Sequence, residues 1–322
     1  MRMNGVFLAP AVAVMIAATM TTGCDSPTDP ASIGHPAGFV AATLALGQRP
    51  FGVAVSSHGV VYVTRLDATH MTRMDLPALQ LSDSVAVGWV PTAVAFHPDD
   101  ATAYVTNQFS QELGVVNVAS DIQVETVQIG GDPFMVAVSP DGGRIYVTAN
   151  TDSLFVLDGS SHTVLTSLPV QGAPNGIAFH PATARVYVSA FVGGTVTEIE
   201  GSSVLRTIPV GGAPQGLALS PDGNDLFVAN EDGPLQVVDL SSGNVTALSG
   251  IAESGFGLGQ SPDGAVLYVT IPSAGKVVVV DRASREVENT IEVGGRPRRI
   301  GFDRSGTTAV VANEAGWVDI IR

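Results

Sequence analysis

The sequence predicts an all-β chain: a seven-bladed β-propeller with four antiparallel strands per blade, closed by an N-terminal strand that completes the last blade. Three observations predict it. A pattern recurs seven times with a period near 41 residues, the kind of self-similarity that marks a repeat architecture. Each copy divides into four short alternating or fully apolar runs separated by turn residues. The final copy stops after three such runs, and an unmatched run of the same type stands at the start of the domain.

In chain order, the first 23 residues read as a signal peptide. Met1–Gly5 carries one positive charge, from Arg2, and Val6–Met20 is an apolar stretch too short to span a bilayer comfortably. It leads into Thr21-Thr22-Gly23-Cys24, which resembles a bacterial lipobox and makes Cys24 the expected site of lipidation. It departs from the usual pattern at Thr21, where Leu is common, so a plain secretory signal is the alternative and a retained anchor a third. Residues 24–37, with Asp25-Ser26-Pro27-Thr28-Asp29-Pro30 and His35, read as a polar tether that cannot build a core. The expected location is outside the cytoplasm: a lipoprotein held to a membrane through Cys24, in the periplasm or on the cell surface, or else a secreted protein.

The propeller is assigned to residues 38–322. Its repeat opens at Pro50, Pro91, Pro133, Pro174, Pro214 and Pro297, with Gly255 at the missing proline position. An aromatic residue recurs in the second strand as Tyr62, Tyr104, Tyr146, Tyr187, Phe227 and Tyr268, degraded to Val310 in the last copy. Between the two lie turns such as Ser139-Pro140-Asp141-Gly142 and Ser220-Pro221-Asp222-Gly223. In the copy at 174–212 the strands fall at Ile177–Phe179, Val186–Ser189, Thr195–Ile199 and Val204–Val210. One such sheet cannot bury both faces, so seven must stack into a ring, and Gly176 and Gly216 in the first strand suit the crowded region near the axis. The last copy ends with Trp317–Ile321 as its third strand. The segment Phe39–Leu46 matches the fourth-strand pattern of Val287–Val293 and is expected to pair with the C-terminal strand Trp317–Ile321, burying Phe39, Val40, Leu44 and Leu46 and removing an exposed edge.

These copies resemble the YVTN family of β-propellers. The likeness rests on Tyr104-Val105-Thr106-Asn107, the Pro-x-Gly openings at Pro174 and Pro214, the Ser-Pro-Asp-Gly turns and the Thr290–Gly294 ending, and it covers residues 39–322. The resemblance implies the seven-bladed fold. It leaves function open, because YncE-type secreted proteins, archaeal surface-layer proteins and domains of redox proteins share the repeat. The sixth copy departs most, with Glu253-Ser254-Gly255 at its opening.

Composition narrows the function. The net charge is −15 and the pI about 4.6, so nucleic acid is not an expected partner. Cys24 is the sole cysteine and excludes an internal disulfide. Carboxylates or an amide recur near the end of the third strand, as Asp75, Asn117, Asp158, Glu200, Asp239 and Asp281. Recurrence in nearly every blade favours Asx-type turns over acid–base chemistry. His97 and His180 stand where other turns have Ser; His58 and His162 also lie in turns, which leaves His70 on the Pro-x-Gly face. No histidine pair has metal-ligand spacing, and no cofactor or metal is expected.

One feature breaks the repeat. Loops on the Pro-x-Gly face are arginine-rich at the closure seam, with Arg49 and Arg65 in the first blade and Arg296, Arg298 and Arg299 in the seventh; these are five of the fifteen basic residues. Phe51, Phe134 and Phe256 sit in the same loops and supply an apolar rim. Guanidinium forks suit carboxylate and phosphate, so Arg49, Arg65, Arg296, Arg298, Phe51 and Phe134 are the candidate ligand-binding residues. The competing expectation is that these arginines simply pair with Asp67 or Glu314. The predicted function is a monomeric, non-catalytic binding module for an envelope protein or a small acidic ligand. The alternative is a lactonase-like hydrolase or lyase at the same mouth.

Overall fold

The computed structural model describes residues 34–47, 49–251 and 253–322. The signal segment, Cys24 and the first part of the tether lie outside these residues. Seven four-stranded antiparallel sheets form the domain, and the described residues contain no helix. Blades 1 to 6 take four consecutive strands each. Blade 1, for example, consists of Pro50–Val55, Val60–Arg65, His70–Asp75 and Gln80–Ala86, ordered from the axis outward. The innermost strand of each blade contacts that of the next, and Pro50–Val55 contacts Pro297–Phe302 to close the ring.

Blade 7 is built as the sequence predicts. Pro297–Phe302, Ala309–Asn313 and Trp317–Ile321 are joined on the outside by Val40–Ala45, with Thr43 opposite Asp319 and Leu44 opposite Val318. Ala42, Leu44 and Leu46 pack against a cluster that contains Val310, Val318 and Ile320 of blade 7 and Val61, Val63 and Met74 of blade 1. Phe39 differs from the expectation: it is 57% exposed, because the pleat turns it outward while Val40 faces the core. The packed chain also begins earlier than residue 38. Tyr268 donates its hydroxyl to the Pro36 carbonyl (2.9 Å), His35 Nδ1 lies 2.9 Å from an Asp263 oxygen, and Gly34 N–H reaches Ser305 O. These contacts fall on the face opposite the Pro-x-Gly loops.

The repeated residues have structural work. Tyr62, Tyr104, Tyr146, Tyr187, Phe227 and Tyr268 are buried between blades. The hydroxyl two residues further on links neighbouring blades. Thr64 accepts the N–H of Gly52 and donates to Thr92 O; Thr106 does the same with Ala93 and Phe134, Thr148 with Met135 and Asn175, Ser189 with Gly176 and Gln215, and Thr270 with Gly257 and Arg298. Blade 5 has Ala229 there, and Gly216 N–H instead bonds directly to Phe256 O. The glycines follow from this close approach: a Cβ on Gly176 would collide with the Gln215 carbonyl.

The third-strand carboxylates are mostly turn formers. Asp158, Asp239 and Asp281 accept N–H bonds from the serines that follow, as Asn117 does from Ser120. With the Ser241 hydroxyl as the largest cause, these bonds hold Asp239 at a pKa of about 2. Asp75 and Glu200 differ: they pair with Arg73 and Arg185.

Candidate functional site

Each blade opens with the same three-residue step, so the residue after the opening Pro (or Gly255) is delivered seven times to the mouth of the channel. Around the ring these are Phe51, Thr92, Phe134, Asn175, Gln215, Phe256 and Arg298. Phe51 packs edge-on against both Phe134 and Phe256, with ring centroids 5.8 and 5.7 Å apart. Arg298 lies over the Phe256 face at 4.6 Å and over Phe51 at 5.8 Å. Phe51, Phe256 and Arg298 are buried, so this aromatic and cationic layer narrows the mouth.

A polar chain crosses the same layer. Arg298 pairs with Glu314 at 2.6 Å, and Arg49 also donates to Glu314. Arg296 approaches the same carboxylate at 3.8 Å, and Arg49 reaches Asp67 at 3.6 Å. On its other side Arg298 lies 3.5 Å from Glu231, which accepts from the Gln215 amide (2.8 Å). Gln215 in turn accepts from Asn175, and Asn175 Oδ1 accepts from Arg299 (2.7 Å). Glu231 and Glu314 hold equivalent places, the first position of the loop after the second strand in blades 5 and 7.

Burial alone would push the Glu314 carboxyl up; hydrogen bonds from Arg49 and Arg298 outweigh it and hold the group below the ordinary carboxylate value. Arg299 is the opposite case. Burial first, and the charge of Arg298 second, pull its pKa down to about 10. Among the described residues no carboxylate lies within salt-bridge distance of it; its partners are the Asn175 amide and the Phe256 face at 4.9 Å. In the other blades the equivalent residue is Gly52, Ala93, Met135, Gly176, Gly216 or Gly257.

Of the residues singled out in the sequence, Arg49, Arg296, Arg298, Phe51 and Phe134 therefore meet at one place. Arg65 does not join them. Its Nη1 donates to Nε2 of His70 (3.0 Å) within blade 1. Arg49 pairs with Asp67 and Glu314, and Arg49 and Arg296 keep 49% and 61% of their side-chain surface exposed. Glu231, Gln215 and Asn175 were not found by motif reading. Comparing the residue after each opening proline across the seven copies is the signal that reveals the amide pair. No histidine joins Glu231 and Glu314, and no group of three His, Cys, Asp or Glu able to hold a metal occurs among the described residues.

Fold and mouth together define a seven-bladed propeller of the short-repeat class, with its loop chemistry gathered at one end of the channel. The chain matches the family model described as "YNCE-like beta-propeller" over residues 49–259, more than half its length, and belongs to that family. No curated protein matches the sequence. Among solved structures it is similar to Kuenenia stuttgartiensis hydrazine synthase, at 18% identity and a TM-score of 0.78, covering 88% of this chain and 97% of that one. At that identity the similarity is one of fold.

Proposed function

We propose that the protein is a binding module that takes a small organic anion, a carboxylate or phosphate, at the channel mouth. The observation that carries this reading is the convergence of three arginines on the single carboxylate of Glu314. Arg298 is fixed by that carboxylate from below. Arg49 donates to its other oxygen through Nε and Nη2 and faces Asp67 with Nη1, while Arg296 stands 3.8 Å away with an exposed fork whose donors Glu314 does not use. The linked cluster holds four arginines (Arg49, Arg296, Arg298, Arg299) against three carboxylates (Asp67, Glu231, Glu314) in a chain of net charge −15. A local cationic excess on an acidic protein favours anionic ligands at that point. The rigid ring suits recognition, since variable loops sit on a fixed scaffold. Binding is favoured over catalysis because Glu231 and Glu314 are both engaged by Arg298.

The domain's N-terminal entry supports an outward-facing mouth. Gly34 and His35 meet the propeller on the face opposite the mouth. Cys24 precedes Gly34 by ten residues, a reach of at most ~35 Å. A lipid anchor at Cys24 would tether the propeller from the side opposite the mouth.

The test is calorimetric titration with citrate, succinate and inorganic phosphate at low ionic strength. At least one is expected to bind saturably, with affinity reduced 10-fold or more in Arg49→Ala/Arg296→Ala and weakened by salt. Equal binding by wild type and double variant, or none by either, would end this reading.

A further inference from the structure

Blade 2 departs from the repeat at a second place on the mouth face. Two residues before the opening proline, blades 3, 4, 5 and 7 have Gly131, Gly172, Gly212 and Gly295; blade 2 has Trp89. Trp89 is 66% exposed, and Phe109 beside it is 67% exposed. Their backbones are clamped: Trp89 N–H donates to Ser110 Oγ (2.7 Å), Phe109 N–H to Trp89 O (3.2 Å) and Gln108 N–H to Val90 O (3.0 Å). Val90 is held at φ 55°, a left-handed conformation that a β-branched side chain adopts only under constraint. The loop is thus fixed in a form that leaves a large aromatic in solvent, a costly arrangement for a residue with no partner.

Trp89 and Val90 form one wall of a cleft of about 420 Å³, whose other lining residues are Leu66, Asp67, Ala68, Thr69 and His70 of blade 1. This lies within the size range of small-molecule sites, roughly 300–1,000 Å³. Its polar groups are of three kinds. Asp67 offers a half-exposed carboxylate acceptor whose cationic partner, Arg49, lies 3.6 Å away. Thr69 offers a hydroxyl. His70 offers a donor: Arg65 can only donate to its Nε2, so the ring is neutral with its proton on Nδ1, and Nδ1 has no protein partner among the described residues. Burial and the Arg65 charge keep that ring neutral.

We infer that this cleft is a subsite for a pyranose ring of a neutral saccharide. A sugar ring has an apolar face of C–H groups, which matches the indole, and an equatorial rim of hydroxyls, each both donor and acceptor, which matches a carboxylate, a hydroxyl and an imidazole N–H set around it. A cationic ligand is disfavoured by Arg49 and Arg65 behind the same wall, and a purely apolar one by the carboxylate of Asp67, which it would desolvate without a partner. The cleft shares Asp67 with the arginine cluster of the mouth and no residue with the aromatic layer, and its indole wall lies outside that cluster.

The experiment screens the protein against an array of neutral glycans, then titrates cellotriose, maltotriose, chitotriose and any array ligand while following tryptophan emission and heat. Saturable binding with a change in emission is expected, lost at least 10-fold in Trp89→Ala and weakened in Asp67→Asn, but unchanged in Arg296→Ala, which tests the mouth separately. Circular dichroism of Trp89→Ala should match the wild type, since the side chain is exposed. Absence of any neutral glycan ligand, affinity that survives Trp89→Ala, or concentration-dependent dimerisation abolished by Trp89→Ala would overturn the assignment.

Discussion

Arg298 directs both Nε and Nη2 at the same oxygen of Glu314, at 2.7 and 2.6 Å, with each side chain less than one-tenth exposed. A buried pair of this kind need not add net stability, but removing one partner strands the other. Glu314→Gln is therefore expected to destabilise the fold by about 3–5 kcal/mol, almost all of it through Arg298, because Arg49 and Arg296 are exposed and their ion pairs contribute little. Urea unfolding would measure it. The double variant Arg298→Met/Glu314→Leu should be more stable than either single replacement. If the double loss equals the sum of the singles, the two groups are not coupled.

The link between blades is testable at Thr106. Its hydroxyl accepts from Ala93 N–H (3.0 Å) and donates to Phe134 O (3.0 Å) in the next blade. Thr106→Val keeps the shape and leaves the buried Ala93 N–H without its partner, while Phe134 O keeps the Thr92 hydroxyl (2.7 Å); the loss costs about 1–3 kcal/mol. The same replacement is already present in kind at Ala229, where the chain has substituted a direct backbone bond from Gly216 to Phe256. A denaturation midpoint unchanged in Thr106→Val would show that the bridge contributes nothing.

Much of this architecture was legible because the repeat is a counting problem. The prolines, the aromatic column and the Ser-Pro-Asp-Gly turns fix blade number and strand order, and the missing final strand identifies Val40–Ala45 as its replacement. The exposure of Phe39 and the contact of His35 with Asp263 are not legible in the repeat, for a different reason. The pattern shared with Val287–Val293 does not say which face of the strand end is covered, and the docking of Gly34–Pro36 depends on the Tyr268 hydroxyl, which no local spacing reveals. At the mouth, the arginines stood out as charges in an acidic chain. Their pairing with Asp67 and Glu314 is legible from neighbouring loops, whereas the contact of Arg298 with Glu231 is not, because the two residues lie two blades apart and meet only in the folded ring.

The closing strand carries a pH dependence of unusual sign. Asp319 is buried, and it accepts from the Thr43 hydroxyl (2.6 Å), the Trp317 indole (2.9 Å) and the Asn313 amide (3.3 Å). Burial raises its pKa, and the three donors only partly offset it. Its folded value thus lies above its unfolded one, near 3.9. The contribution of Asp319 is most favourable below the unfolded value and is lost as pH rises through the folded one. Glu314 behaves oppositely: its depressed value stabilises above the unfolded pKa and that stability disappears on acidification. Unfolding free energies of wild type and Asp319→Asn between pH 4 and 7 should therefore converge or cross, the wild-type advantage shrinking as pH rises. An advantage that grows with pH would refute the assignment.

Arg299 distinguishes a residue kept for stability from one kept for binding. It is a poorly compensated cation at a position where the repeat elsewhere places Gly, Ala or Met. Desolvation of its charge, already evident in a pKa lowered to about 10, opposes folding. Met135 shows that a long apolar side chain fits the equivalent site of blade 3. Arg299→Met should consequently leave stability unchanged or raise it by about 1 kcal/mol, within the 1–4 kcal/mol gained when buried charges give way to apolar residues of like volume. The same variant should bind citrate or phosphate more weakly, because it removes one of the four arginines of the mouth cluster. Thermal melts and titrations on one preparation read both effects. A marked loss of stability would mean that the Asn175 and Phe256 contacts outweigh the desolvation, and that Arg299 holds blade 7 against blades 4 and 6 rather than serving a ligand.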